Sequence, residues 1–345
     1  MPEIGVIVGG MRYSGWSRVR VERSIERIAA AFEVVSSDRW ASNPRAPRIR
    51  PGDGCVVAIG EERLIDGYVD DVAIGYDAAR HEVALRGRDA TGDLVDCAAR
   101  IRQWSGLTLG RLADEICSPF GVRVTDEIGD ATPFRRLKTE PGETAFELLE
   151  RAARLRGALL VSDARGGLVI TRAGARRAPT ALVLGQNVLE ASARFSHAGR
   201  YSAYTVLGQQ PGGDFIAADG AAHVSATATD ERIVRHRPTV IVAEDPIDAA
   251  AAKARAEWQR NIAFGRSMVL RITVADWRHE DGAWQPNELV RVDDDFLGIH
   301  DAWWLIVATT FVRDERGTRC TLTLMPRETF DRQPLPKEDP DARAA

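Results

Sequence analysis

Trp284-Gln285-Pro286-Asn287-Glu288-Leu289-Val290, then Trp303-Trp304-Leu305-Ile306 and Thr321-Leu322-Thr323-Leu324-Met325-Pro326, decide how this chain is read. Each stretch is short, aromatic or branched in character, and bounded by turn or polar residues, so each is expected to be a strand. Gly282-Ala283 leads into the first of them. Upstream, a helix is expected over 245–264. Asp245 can cap it, and Pro246 stands at its first position, where the missing N–H costs nothing. Trp258 and Asn261 lie on that helix, and Met268, Leu270, Ile272 and Val274 then alternate down a strand. Nothing in this block is arranged for chemistry.

The remainder of the chain divides by pattern. Residues 1–97 read as all-β. Arg18-Val19-Arg20-Val21-Glu22 alternates polar and apolar, and further strands follow at Phe32–Val35, Cys55–Ile59, Leu64–Val69 and Glu82–Arg86, with Pro51-Gly52-Asp53-Gly54 as a turn. This spacing suits a barrel or a sandwich. In residues 98–178, Leu109, Leu112, Ala113 and Ile116 form one helical face that Pro119 ends. A second helix follows Pro141-Gly142-Glu143-Thr144, with Phe146, Leu149 and Ala153 expected inward and Gly157 as its left-handed stop. Ala158–Val161 and Leu168–Thr171 read as a β-hairpin. Residues 179–330 return to β around the one long helix. Gln209 to Thr229, rich in Gly, Ala and Asp, reads as an inserted loop, and Asp331 to Ala345 as a disordered tail.

Composition narrows the function. A chain of 345 residues exceeds one core, so two or three domains are expected. The formal net charge of −4 offers no excess of cations to hold nucleic acid through its phosphates. Three lysines, Lys138, Lys253 and Lys337, stand among 46 basic residues. A compositional bias of the source genome accounts for this better than a demand for bidentate arginine contacts. Cys55, Cys97, Cys117 and Cys320 are widely spaced, with no zinc or redox spacing, and fit a reducing compartment. Ile4-Gly5-Val6-Ile7-Val8 reads as a strand rather than a signal peptide, and no run approaches the roughly 20 apolar residues of a membrane span.

A search for catalytic and metal motifs finds no GxSxG, HExxH, phosphate loop or dinucleotide fingerprint. No two of the six histidines stand at helical ligand spacing. Asp293-Asp294-Asp295 lacks the spacing of a calcium loop and reads as a solvated turn. Glu61-Glu62 and Asp70-Asp71 are the only carboxylate pairs worth weighing as a glycosidase centre, and chance adjacency accounts for them. No enzyme activity, metal or cofactor is expected. Arg86-Gly87-Arg88-Asp89-Ala90-Thr91 leaves two readings open: a strand end held by local Arg–Asp pairs, or an intersubunit polar contact through Arg88 and Asp89. Eight tryptophans are many for this length. Aromatic side chains anchor interfaces as well as cores. In a strand, Trp303 and Trp304 must face opposite ways, which leaves one of them for a partner.

These pieces, in order, resemble one family. Ser14-Gly15-Trp16-Ser17-Arg18-Val19-Arg20-Val21-Glu22, Ile65-Asp66-Gly67-Tyr68-Val69-Asp70, Gly87-Arg88-Asp89-Ala90-Thr91-Gly92-Asp93, Pro141-Gly142-Glu143-Thr144-Ala145-Phe146-Glu147-Leu148-Leu149 and Trp284-Gln285-Pro286-Asn287 carry the resemblance, which spans about residues 5–330. The chain resembles the central baseplate hub proteins of Mu-like contractile-tailed phages, also called tail protein or late control protein D. The resemblance implies an α+β, mainly β fold: two barrel-like β domains, 1–97 and 179–330, separated by a small α/β domain, 98–178. It implies a homotrimer whose six similar barrels adapt a six-fold tail tube to a three-fold central spike. Neighbouring baseplate proteins are then partners, and DNA passes through the bore without sequence-specific binding. The site of action would be the virion tail baseplate, assembled in the host bacterial cytoplasm without stable membrane association. Arg88, Asp89, Trp284, Asn287, Trp303 and Trp304 are the candidate intersubunit or partner residues.

The alternative is a peptidoglycan-binding module, since Pro141 to Leu149 vaguely resembles a LysM repeat.

Overall fold

The computed structural model describes residues 4–37, 49–78, 81–134, 136–174, 176–209, 223–243 and 249–330. The fold is mainly β with few helices, as expected. The alternation around Val19 does make a half-buried strand, Arg18–Ser24, with Val19, Val21 and Arg23 inward. This strand is hydrogen-bonded on both edges. Ala31–Ser37 pairs with it on one side, with Val21 opposite Phe32. Ile299–Asp314 pairs with it on the other, with Val21 opposite Phe311. One large sheet therefore contains strands from both ends of the sequence. From Gly317–Met325 and Ile299–Asp314 it passes through Arg18–Ser24 and Ala31–Ser37. It continues through His81–Asp89, Glu62–Tyr76, Gly54–Ile59 and Ile4–Val8 to Met11–Tyr13.

Trp277 anchors the C-terminal part of this sheet. Its ring is fully buried and meets Phe311 edge-on at 6.4 Å. Its indole N–H donates to Val312 O at 3.2 Å and Arg319 O at 2.9 Å, so the polar tip is satisfied without leaving the core.

The middle segment folds as its pattern predicts. Thr144 and Glu147 form a reciprocal capping box at the start of the Ala145–Leu155 helix. Gly157 ends that helix at a φ of 54°. Leu159–Ser162 and Leu168–Thr171 pair from Leu159–Thr171 to Ser162–Leu168. The inward stripe is Ala145, Leu148, Leu149, Ala152 and Ala153. Phe146 packs only half-buried at the margin of this core, because its position falls outside that stripe.

In the C-terminal half, Ala203–Gln209 is the middle strand of a three-stranded sheet. It runs antiparallel to His223–Thr229 and parallel to Pro238–Val242. This corrects the loop expected over 209–229: residues 223–229 are a strand. Val224, Ala226 and Ala228 alternate toward the helix, a period hidden by the small size of the side chains. Residues 210–222, the cap residues Asp245 and Pro246, and the tail 331–345 lie outside the described residues. The long helix runs Ala249–Arg266 and packs Ala252 and Ala256 against Val206, Val224 and Ala228.

The described residues group into two compact units, Met1–Ser192 with Leu270–Leu324, and Ala193–Val269 with Met325–Ala345. This grouping cuts across the linear divisions 1–97, 98–178 and 179–330, because the strands after Leu270 pair with the N-terminal sheet.

One close approach in the second unit sets a testable limit. A Cβ on Gly265 would fall 1.6 Å from Thr329 Oγ1. That hydroxyl is buried and donates to Pro326 O at 2.6 Å. Gly265→Ala must push the Arg327–Phe330 turn off the helix. We expect it to destabilise the protein by about 2–3 kcal/mol in urea unfolding, where helix propensity alone predicts a gain. An unchanged midpoint would show that the turn is free to move.

Candidate interface residues

Arg88 and Asp89 are consecutive in the His81–Asp89 strand and so face opposite ways. The Glu62–Tyr76 strand carries a bulge between Val69 and Asp71, which sets Asp70 out of register beside Arg88. Arg88 Nε donates to Asp70 Oδ2 at 2.8 Å, and its two terminal nitrogens donate to Asp96 at 3.1 and 2.6 Å. These bonds hold the Arg88 guanidinium above its ordinary pKa and Asp96 below the usual carboxylate range. Asp89 points into the protein. It accepts from Ala30 N at 2.9 Å, from Thr91 N at 3.0 Å and from the Thr91 hydroxyl. Burial raises its pKa, against the pull of these donors. The geometry is that of the strand-end reading: local carboxylates take up Arg88, and Asp89 has no surface to offer.

The tryptophan pair divides as expected. Trp304 is buried, and Trp303 is 41% exposed with the Arg177 guanidinium 4.8 Å above its ring. Trp284 and Asn287 lie differently: the first is buried and the second half-buried. Trp284 is buried, edge-on to His279 at 4.8 Å. Asn287 accepts from Gly174 N at 2.9 Å and donates to Arg172 O at 3.0 Å, adopting a φ of 69° to do so. It staples the start of the Glu288–Asp294 strand to the end of the middle segment. Its conformation is one that Asn tolerates better than most residues.

The carboxylate pairs are consumed in the same way. Glu62 accepts from Ala283 N at 2.8 Å and lies 3.4 Å from Arg278. Asp71 lies 3.5 Å from Arg86. Asp293, Asp295 and His300 bring ligand atoms within 4.8 Å of one another, all exposed, in the acidic turn expected from sequence.

Sequence reasoning missed Arg23. It sits at the inward register set by Val19 and Val21, only 7% exposed, and faces a polar cavity of about 120 Å³. Glu127, Ser162, Asp163, Asn287 and Glu288 share the lining. Arg23 makes no direct hydrogen bond among the described residues. Burial pulls its pKa down, against Asp89, Asp163, Glu288 and Glu62. The lining suits ordered water bridging the guanidinium to the carboxylates. The cavity joins three stretches far apart in sequence, and its signal was legible: a charge continuing an apolar period-2 row.

Two comparisons of variants test these assignments. Asp89→Ala strands three donors and is expected to cost about 2–4 kcal/mol, whereas Arg88→Ala should cost under about 1 kcal/mol. Equal shifts in urea midpoint would contradict the division of roles. Arg23→Met leaves several carboxylates uncompensated and should cost about 3–5 kcal/mol. A melting temperature at or above that of the parent chain would refute it.

Residues 3–89 match the family described as Mu phage baseplate assembly protein GpP-like, N-terminal, and residues 91–172 match baseplate hub protein gp44-like, second domain. Residues 200–259 match tail protein NMB1110-like, third domain, and residues 248–333 match Mu phage baseplate assembly protein GpP, fourth domain. The chain is 34% identical to the baseplate hub protein gp44 of Escherichia phage Mu over 332 residues, 93% of this chain and 87% of that protein. Among solved structures, the 43 kDa tail protein of prophage MuSo2 from Shewanella oneidensis is 35% identical with a TM-score of 0.86, covering 95% of this chain and 99% of that one. The tail protein from Neisseria meningitidis MC58 is 25% identical with a TM-score of 0.81, covering 94% and 96%. The LysM-like reading of Pro141 to Leu149 is not favoured, since that stretch lies inside the segment matched to the hub second domain. No helix among the described residues is long and apolar enough to cross a membrane.

Proposed function

Because this chain belongs to the baseplate hub family of Mu-like phages, we propose that it acts as a trimeric symmetry adapter. Three copies form a ring that joins the six-fold tail tube to the three-fold central spike. The bore of the ring passes DNA when the tail contracts. The work is mechanical and needs no catalytic residue, metal or cofactor. The ring acts in the tail baseplate of a virion or prophage-derived particle and is assembled in the host cytoplasm.

The observation that carries this reading is the ordered match to hub domains along nearly the whole chain. The internal use of charge supports it. Arg88, Asp89, Glu62, Asp70 and Asp71 all hold strands together, and none of them lines a cleft where a substrate is met. An adapter under load needs such cross-links between distant segments. The division into first and second β domains around a middle α/β domain is part of the proposal, with each β domain supplying one of the six positions around the ring.

Light scattering on a sizing column tests the reading directly. Three copies of the 37.8 kDa chain give about 113 kDa. A species of that mass that also retains purified spike protein is the expected result. A monomer at every concentration, with or without spike, would overturn the ring.

A further inference from the structure

The Glu288–Asp294 and Ile299–Asp314 strands form a hairpin with two unusual surfaces. Its turn presents Phe296, 89% exposed, directly after the acidic run that holds exposed Asp293 and Asp295. The turn is held in shape. Asp294 is buried and accepts from Leu297 N at 3.0 Å, and Gly298 N donates to Asp295 O at 3.2 Å. Leu184, also exposed, donates its N–H to Asp293 O at 3.0 Å and widens the apolar tip. The turn backbone that carries this exposed ring is thus held, and the neighbouring Asp295 carboxylate lies 3.1 Å from His300 Nδ1.

Farther along the same hairpin lies the opposite combination. Trp303 is exposed, and Arg177 stacks on its face. The backbone of Arg177 pairs with the Glu288–Asp294 strand opposite Leu289, and the stacking on Trp303 is the one side-chain interaction it makes among the described residues. Its guanidinium is oriented, and its N–H fork is left without an acceptor. An oriented guanidinium of this kind accepts a carboxylate in bidentate fashion, and Trp and Arg together are the residues that most often dominate a protein interface. Arg291, opposite Trp303, is already taken by Asp301 through Nε at 2.6 Å, so among the described residues Arg177 is the cation of this shelf without a carboxylate.

We propose that these surfaces meet between copies: the Phe296 turn of one subunit seats on the Arg177–Trp303 shelf of the next, with Asp295 and Asp293 facing Arg177. Each surface carries what the other lacks, ring against ring and anion against cation. Within one chain Phe296 lies at the hairpin turn and Trp303 along its second strand, with Arg177 on the adjoining strand Arg176–Arg177. A head-to-tail contact uses each surface once per copy, which is the kind of contact that closes into a ring. This inference rests on the trimer proposed above and names its contact.

Charge exchange tests it. Arg177→Glu and Asp295→Arg are made singly and together in the full chain, with Phe296→Ser as a third variant. All three side chains are exposed, and far-UV circular dichroism and melting verify the fold. The concentration of half-assembly is read from light scattering across a dilution series. Each single variant is expected to raise it about tenfold or more, and the double variant to return it to within about threefold of the parent. A parent trimer whose assembly ignores all three substitutions overturns this contact and leaves the ring standing. A double variant as dissociated as either single one overturns the pairing of Arg177 with Asp295. A parent chain that is monomeric throughout overturns the ring and this contact with it.

Discussion

The Arg18–Ser24 strand carries the fold of the first unit because both of its edges are occupied by strands from opposite ends of the chain. Ala31–Ser37 reaches it through a short turn. Ile299–Asp314 reaches it only after the intervening segments have been laid out, and the register from Arg313–Val19 to Ala308–Ser24 leaves no slack. A one-residue slip would turn Val19 and Val21 outward and bring Arg18 and Arg20 into the core, so the pairing is set by burial as much as by hydrogen bonds. The middle segment is an excursion between two halves of one sheet. Asn287 and the Arg23 cavity tie the excursion to it, while the Glu62–Ala283 bond joins the N-terminal and C-terminal parts directly.

Charge inside this protein does structural work. Asp89 gathers the N–H groups of Ala30 and Thr91 at a strand end. Arg23 stands among carboxylates at the meeting point of three segments. Arg200 pairs with Asp230 at 2.6 Å in the second unit, both nearly buried. Removing one partner of such a group costs more than the pair itself contributes, so these contacts favour one arrangement more than they add stability. Arg88 reaches a neighbouring strand and a short helix at once, through Asp70 and Asp96.

Much of this was legible in the sequence. The hairpin at 159–171, the capped helix after Thr144 and the opposite facing of Trp303 and Trp304 all follow from local period and turn chemistry. The long helix was recognised by its pattern, though it extends to Arg266, past the Phe264 stop. The strand at 223–229 was missed because alanine and threonine alternate too weakly to signal a buried face. Trp284 and Asn287 were placed at an interface on their residue type. The bonds of Asn287 go to Gly174 and Arg172, more than 100 residues away, which no local window contains. Period and spacing locate strands, but which strands pair is decided by long-range packing.

The position of Arg18–Ser24 also has a consequence for how the chain is made. Ribosomes add roughly 5–20 residues each second, and Val21 must wait for Phe311, about 290 residues later. For some 15–60 seconds the nascent N-terminal sheet therefore shows an unpaired, half-apolar edge to the cytosol. In a cell filling with copies of the same polypeptide, that interval invites pairing with the wrong neighbour. Trigger-factor-like holdases, slow translation of the middle segment, or early protection by the Gly92–Asp96 turn and the helices after it would each shorten the exposure. The hazard arises from topology alone and would accompany every copy synthesised.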